Sequence, residues 1–320
     1  MSGLTSTFEP ALAERLAATV PCAERALFLK SGAEATSAAL RLARTATGRD
    51  VVLASGYFGW HDWASDADAR GVPAAARAAV VRIARDDVPG LTRAVDAVGA
   101  SRVAAILVEP VVEREPDPAW IAALRATATR IGAVLVFDEV KTAFRLAPGG
   151  YQQLAGVTPD VAVVGKALAN GYPLAAVVGR RDVLDAARRT WISSTLASEA
   201  TALAAAHAVL DRHAGADVCG ALAARGRALR DAVATPNVVT SWEPVGLDAM
   251  WLLRFGDGPG AGANAREGVF LGAAREAGVL FKRGAYQYAM LAHDAAAVDA
   301  VRAAAVAGFA AVRALDETGA

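Results

Sequence analysis

The sequence predicts an α/β fold: a mostly parallel central sheet flanked by helices, followed by a smaller C-terminal α+β domain. Three observations carry this. Short apolar runs at 51–54, 103–108, 134–137, 161–164 and 175–178 alternate with helical patterns at 33–45, 118–131 and 201–212. The runs are continuous, which marks strands buried on both faces, as in parallel sheets. Beyond about residue 214 the spacing changes, and short strands and helices follow without that alternation.

In chain order, 10–20 reads as an amphipathic helix and 26–30 as a short strand. A helix over 33–45 has Gly48 just past its end. The strand at 103–108 leads into Glu109-Pro110, the strand at 134–137 ends at Asp138, and the strand at 161–164 runs into Gly165-Lys166. The C-terminal part reads as a helix at 221–235, strands at 238–241 and 250–255, a Gly-rich stretch at 256–262, a helix at 265–277, strands at 278–281 and 288–292, and a last helix at 295–315. Three parts result: a short N-terminal segment (1–20), a large domain (21–214) and a small C-terminal domain (215–320).

Composition narrows the function classes. The chain has 320 residues, 54% of them hydrophobic, enough for a sizeable core. Lys plus Arg equals Asp plus Glu, 33 against 33, so charge favours neither a nucleic acid nor an anionic membrane. The start carries no basic segment followed by an apolar one, and no run of about 18 apolar residues exists, so neither a signal peptide nor a membrane span is expected. Cys22 and Cys219 have no metal-ligand spacing, so no metal is expected and a reduced, cytoplasmic setting fits.

In parallel sheets ligands sit at the carboxyl ends of the strands. Ser31, Glu109, Asp138 and Lys166 all follow strands. Ser31-Gly32-Ala33-Glu34-Ala35 is a small-residue turn opening a helix, whose N–H groups and dipole make a phosphate site; it is equally a plain helix cap. Asp138 ends an apolar strand and needs a partner there. A protonated pyridine nitrogen is one; a helix cap or an ion pair with Arg145 are others. Lys166 directly follows an apolar strand. If buried, its amine is desolvated and freed for imine formation; it can also snorkel to the surface.

Together these segments resemble the class III aminotransferases of the ornithine and glutamate-semialdehyde type, which have the pyridoxal phosphate (PLP) transferase fold type I. Ser31 to Thr36 is similar to S-G-S-E-A-N, with Thr36 for Asn. Asp138 to Arg145 is similar to D-E-V-x-T-G-F-R, with Ala143 for Gly. The stretch from Pro159-Asp160 to Gly171-Tyr172-Pro173 resembles the surroundings of the cofactor lysine. Gly56 to Trp63 resembles G-Y-H-G-W-H-D-W, with Phe58 for His. With 282–286 and 291–294 it resembles the branch of glutamate-1-semialdehyde aminomutase-like proteins and aminotransferases of polysaccharide or secondary-metabolite pathways; Gln287 stands where Asn is usual.

The resemblance implies an enzyme holding PLP as a Schiff base on Lys166, which then acts as general base and acid. It implies that Asp138 pairs with the ring nitrogen, Val140 packs on one ring face and Tyr57 stacks on the other. Ser31, Gly32 and Ala33 are placed around the phosphate, Phe58 and Glu109 beside the cofactor. The resemblance also implies that Thr195 reaches the phosphate of a neighbouring subunit in a homodimer, although it can also be a plain helix-start residue. Glu199 and Arg283 are weaker substrate candidates, Arg283 equally a structural ion pair. His61 and His293 read as hydrogen-bonding histidines.

The implied reaction is transamination or an aminomutase reaction on a small amino, keto, semialdehyde or sugar-like substrate. A decarboxylase, racemase or carbon–carbon bond-forming enzyme on the same fold is the alternative, as is a catalytically weak PLP-binding homologue, against which the intact Lys166, Asp138 and phosphate turn argue. The family carries a longer region before the part matching Phe8. Three readings of the shorter start stay open: a misplaced or truncated start, an open pocket for a large or carrier-bound substrate, or loss of transamination.

Overall fold

The computed structural model describes residues 6–66, 69–234, 239 and 241–318. The chain divides into two compact units, 1–216 and 217–320.

The first unit is built on a seven-stranded sheet. Its strands are β1 (Arg25–Leu29), β2 (Val51–Ser55), β3 (Val80–Arg82), β4 (Val103–Val108), β5 (Val134–Asp138), β6 (Val161–Val164) and β7 (Ala175–Gly179), in the order β1-β7-β6-β5-β4-β2-β3. β2 is parallel to β3 and β4, β4 to β5, and β5 to β6. β7 alone is reversed, pairing antiparallel with β6 and β1. β1, β2, β4, β5 and β6 therefore all end at one edge of the sheet.

The two faces are covered by different helices, as the period of two requires. Val161, Val163, Ala175 and Val177 point to one face, packed with Ala35, Ala38, Ala39 and Leu42 of the helix Gly32–Thr47. Ala162, Val164, Ala176 and Val178 point to the other, packed with Leu12 and Leu16 of Phe8–Thr19 and with Leu203, Ala206 and Leu210 of Ala200–Gly215. The Gly32–Thr47 helix has sharp signals at both ends: a Ser31/Glu34 capping box, and Gly48 in the left-handed region at φ 67°.

The second unit has a three-stranded antiparallel sheet, β10-β9-β8, made of β8 (Trp242–Leu247), β9 (Met250–Phe255) and β10 (Gln287–Tyr288). The helices Val218–Ala234, Ala263–Glu276 and Ala295–Thr318 supply Leu229, Phe270 and Phe309 to its core. One of them, Ala295–Thr318, is long and apolar enough by length and composition to cross a membrane. Its Ala304, Ala305, Phe309 and Val312 are buried in this core.

The C-terminal expectations need correction. Residues 278–281 form no strand. Gly278 is left-handed at φ 88°, and the N–H groups of Gly278 and Val279 return to the carbonyls of Arg275 and Ala274. The run thus starts as the cap of the preceding helix, with Val279 and Phe281 leaning on the core and Leu280 exposed. The strand expected at 288–292 shrinks to Gln287–Tyr288. The one expected at 238–241 falls partly outside the described residues, and β8 begins at Trp242. The sequence reading passed over β3 and the helix Val88–Val98.

The segment after β5 is pinned by a fully buried carboxylate. Glu139 accepts the N–H groups of Tyr151 (2.7 Å) and Gln152 (2.9 Å) and the hydroxyl of Thr142. Gly150 sits against it at φ 82°, where a Cβ would lie 2.6 Å from Glu139 Oε2. Gly150→Ala is expected to destabilise the protein by at least about 2 kcal/mol, from left-handed backbone cost and the clash together. An unchanged thermal midpoint would show that this close approach is not what holds the segment.

Candidate cofactor site at the sheet edge

Because the parallel strands end together, the residues that follow them meet. Lys166 follows β6, Asp138 ends β5, Glu109 follows β4 and Tyr57 follows β2, and these four strands are consecutive neighbours. Asp138 pairs in register with Val163, three residues before Lys166. The turn at Ser31 follows β1 on the same edge.

Val140 ties the motifs together. A Cβ on Gly32 would lie 3.1 Å from a Val140 methyl, and one on Gly165 would lie 3.5 Å from the same methyl. The helix-opening turn, the segment after Asp138 and the residue before Lys166 therefore touch one side chain. A Cβ at 32 would be tighter against Val140 than an ordinary contact, so glycine suits this close approach.

In the turn, the Ser31 hydroxyl accepts from the Glu34 N–H and donates to the Glu34 carboxylate, which also takes the Ser31 N–H at 2.8 Å. The serine thus shapes the turn. The N–H groups of Gly32 and Ala33 have no acceptor within the helix and face outward at the positive end of its dipole. Thr36, fully buried, bonds the carbonyls of Gly32 (2.8 Å) and Phe58 (3.2 Å), joining this turn to the one after β2.

Asp138 is 6% exposed. Burial first, and then the nearby Glu109 charge, push its carboxyl up to about 7; the Val140 N–H at 3.0 Å and the positive charges of Lys166 and Lys141 pull the other way. Glu109 accepts the Tyr57 N–H at 3.2 Å and pairs with Lys141 Nζ at 2.6 Å, both side chains largely buried.

Lys166 departs from expectation. The sequence reading buries it, whereas the structure leaves it exposed. The chain leaves β6 through Gly165 and turns at Lys166 into the left-handed region, φ 43°. Leu168 and Ala169 take the buried face of the turn and direct the lysine outward. Such a backbone in a non-glycine residue is strained and is characteristic of functional positions. The loop is closed by its own bonds, Leu168 N–H to Gly165 and Asn170 N–H to Lys166 among them.

The other candidates divide. Tyr57 is 72% exposed and available as a stacking face. Phe58 is 2% exposed; its ring stacks on Trp63 (6.2 Å, 21°) in the core, with the Arg82 guanidinium 5.8 Å from its centroid. Thr195 is exposed in a turn ahead of the helix Ala200–Gly215. Glu199 caps that helix and pairs with Lys30 at 2.8 Å; the lysine and the helix N–H groups hold its carboxyl at about 2. His61 bonds Ser37 at 2.7 Å, and His293 takes the Met290 N–H at 3.2 Å. The sequence reading missed Lys141, which stands at the unspecified x of the pattern, and Glu139, whose partners lie a dozen residues ahead.

Residues 72–237 match the family model Aminotransferase class-III. The chain is 40% identical over 223 residues to the 2'-deamino-2'-hydroxyneamine transaminase of Streptomyces kanamyceticus, covering 70% of this chain and 56% of that protein. It is 33% identical over 320 residues to a glutamate-1-semialdehyde 2,1-aminomutase of Anaeromyxobacter dehalogenans, covering 92% and 71% respectively. Among solved structures, the Sphingopyxis sp. FumI protein in its PLP internal aldimine form superposes with a TM-score of 0.91 at 28% identity, covering 98% of this chain and 77% of that one. A β-phenylalanine aminotransferase from Variovorax paradoxus gives 0.84 at 26% identity, covering 98% and 76%. The fold is that of the type I transaminases. The chain belongs to the class III aminotransferase family. It spans about half the length of several curated relatives it matches, 56%, 55% and 47% for three of them.

The raised Asp138 carboxyl has a consequence for stability. A folded-state value above the ordinary 3.8 stabilises fully below that value and is lost as pH climbs toward about 7. The protein without cofactor is expected to lose up to about 4 kcal/mol over that window from this group. Asp138→Asn should flatten the fall, measured by denaturant unfolding from pH 4 to 8. Parallel curves for the two proteins would show that Asp138 ionises normally.

Proposed function

We propose that this chain is a PLP-dependent aminotransferase or aminomutase acting on a small amine or carbonyl substrate. The observation that carries the reading is the meeting of Lys166, Asp138, Val140 and the Gly32 turn at one sheet edge, in a chain of this family.

The residues fit the cofactor on the structure's own terms. Asp138 is a buried acid whose carboxyl is pushed up by burial and by the Glu109 charge, and a pyridinium N–H would relieve both. The Gly32 turn offers N–H groups and a helix dipole to a phosphate. Val140 lies between that turn and Gly165, where it forms a floor for a flat ring.

Bound PLP supplies an aldehyde carbon for an amine and a cationic ring that draws electrons from the adjacent carbon. Gly32 and Ala33 hold the phosphate through their N–H groups, with Ser31 fixing the turn. Asp138 holds the ring-nitrogen proton. Tyr57, exposed at this edge, would cover the ring face opposite Val140. Lys166 Nζ is the amine that would hold the cofactor and would move the proton at the substrate Cα. Glu109 braces the Tyr57 turn. Phe58, buried in the core and stacked on Trp63, would support the site from within.

Thr195, exposed on its turn, reaches the phosphate of a second copy in a homodimer. Cys22 and Cys219 are both buried and form no disulfide, and a cytoplasmic setting is part of this reading. The relatives' names cover a neamine derivative, an aminobutyryl-CoA and glutamate-1-semialdehyde. What these share is an amino or carbonyl carbon, and the substrate is assigned at that level.

The purified protein should turn yellow with pyridoxal phosphate, and borohydride should fix the label on Lys166, read by peptide mass mapping. Lys166→Ala should remain unlabelled; a label on that variant would refute the assignment. In a separate, unreduced sample, conversion of the yellow spectrum to that of the pyridoxamine form on adding amines would mark transamination.

A further inference from the structure

We propose that Lys141 is a positioning residue for this site: its ammonium fixes the Glu109 carboxylate, and through Glu109 the turn that presents Tyr57. The inference rests on the reading above for the role of Tyr57.

Glu109 is the template of that turn. Its N–H donates to the Ser55 carbonyl at 2.9 Å. Gly56, at φ 132°, lies so close that a Cβ there would meet Glu109 Cβ at 2.5 Å. Glu109 Oε2 takes the Tyr57 N–H at 3.2 Å. Three successive residues, 55 to 57, are thus laid on one glutamate. Its other oxygen, Oε1, is held by Lys141 Nζ at 2.6 Å, with 7% of the lysine side chain and 11% of the glutamate side chain exposed.

A carboxylate this enclosed is held in one rotamer by a cation or swings toward water. Swinging would release the Tyr57 N–H and the aromatic it carries. The lysine also balances charge: Lys166 and Lys141 are the cations that act on Asp138, against the Glu109 carboxylate beside it.

The test uses the full chain and three readouts: pyridoxal phosphate affinity by absorbance titration, the visible circular dichroism of the bound cofactor, and the thermal midpoint without cofactor. Lys141→Met should weaken binding about tenfold or more and change the dichroic band, since it leaves a buried carboxylate unpaired. Lys141→Arg should keep most of both. Adding Lys141→Met to Tyr57→Ala should cost little beyond Tyr57→Ala itself, because both act through one aromatic.

Should Lys141→Met fold poorly, the double variant Glu109→Gln/Lys141→Met removes the unpaired charge. It should recover the thermal midpoint yet bind more weakly than wild type. Unchanged affinity and dichroism in Lys141→Met or in the double variant, or losses at 57 and 141 that simply multiply, would overturn the proposal. Wild-type protein that fails to bind the cofactor would instead overturn the functional reading.

Discussion

The shared direction of six strands is the constraint on which everything else rests. A parallel sheet buried on both faces has no room for polar side chains along its strands, so they gather where the strands stop. Here the stops coincide, and a lysine, an aspartate, a glutamate and a tyrosine are carried to neighbouring positions. No single contact builds the site; the register of the sheet does. Val140 then converts proximity into fit by touching the residues at 32 and 165.

Charge follows from that placement. Asp138 is desolvated by the sheet beneath it and pressed by Glu109, so its carboxyl is held protonated at a pH where an exposed aspartate would be charged. A cationic ring nitrogen relieves both effects at once. The same crowding explains why a buried lysine stands at 141: two acids at one edge need more than one cation. Glu139, next to Asp138 in sequence, faces the other way and serves the backbone of the following segment.

Much of this was legible in the sequence, for physical reasons. Strands β4 to β7 are continuous apolar runs whose neighbours in the chain supply turns and caps, so local signals suffice. The Ser31–Glu34 box and Gly48 announce their helix within a few residues. What escaped depends on distant partners. β3 is three residues, none of them fully buried, and becomes a strand only beside β2. The region 278–281 could not be told from a strand, because a helix cap and a strand present the same apolar run; here the deciding residue is Gly278 in its left-handed conformation. Phe58 reads as a wall of the site until Trp63 and Arg82 are seen around its ring. Lys166 reads as buried because its strand is; the turn that lifts it out is set by Leu168 and Ala169 filling the space beneath.

The reversal of β7 has a mechanical side. Because β6 and β7 are hydrogen-bonded neighbours running in opposite directions, the chain returns from one to the other without a crossover helix. Lys166 therefore sits on a tether anchored at both ends in the rigid centre of the sheet and stitched across its middle. Travel of its nitrogen must come from rotation about the four carbons of the side chain, with the main chain acting as a fixed pivot.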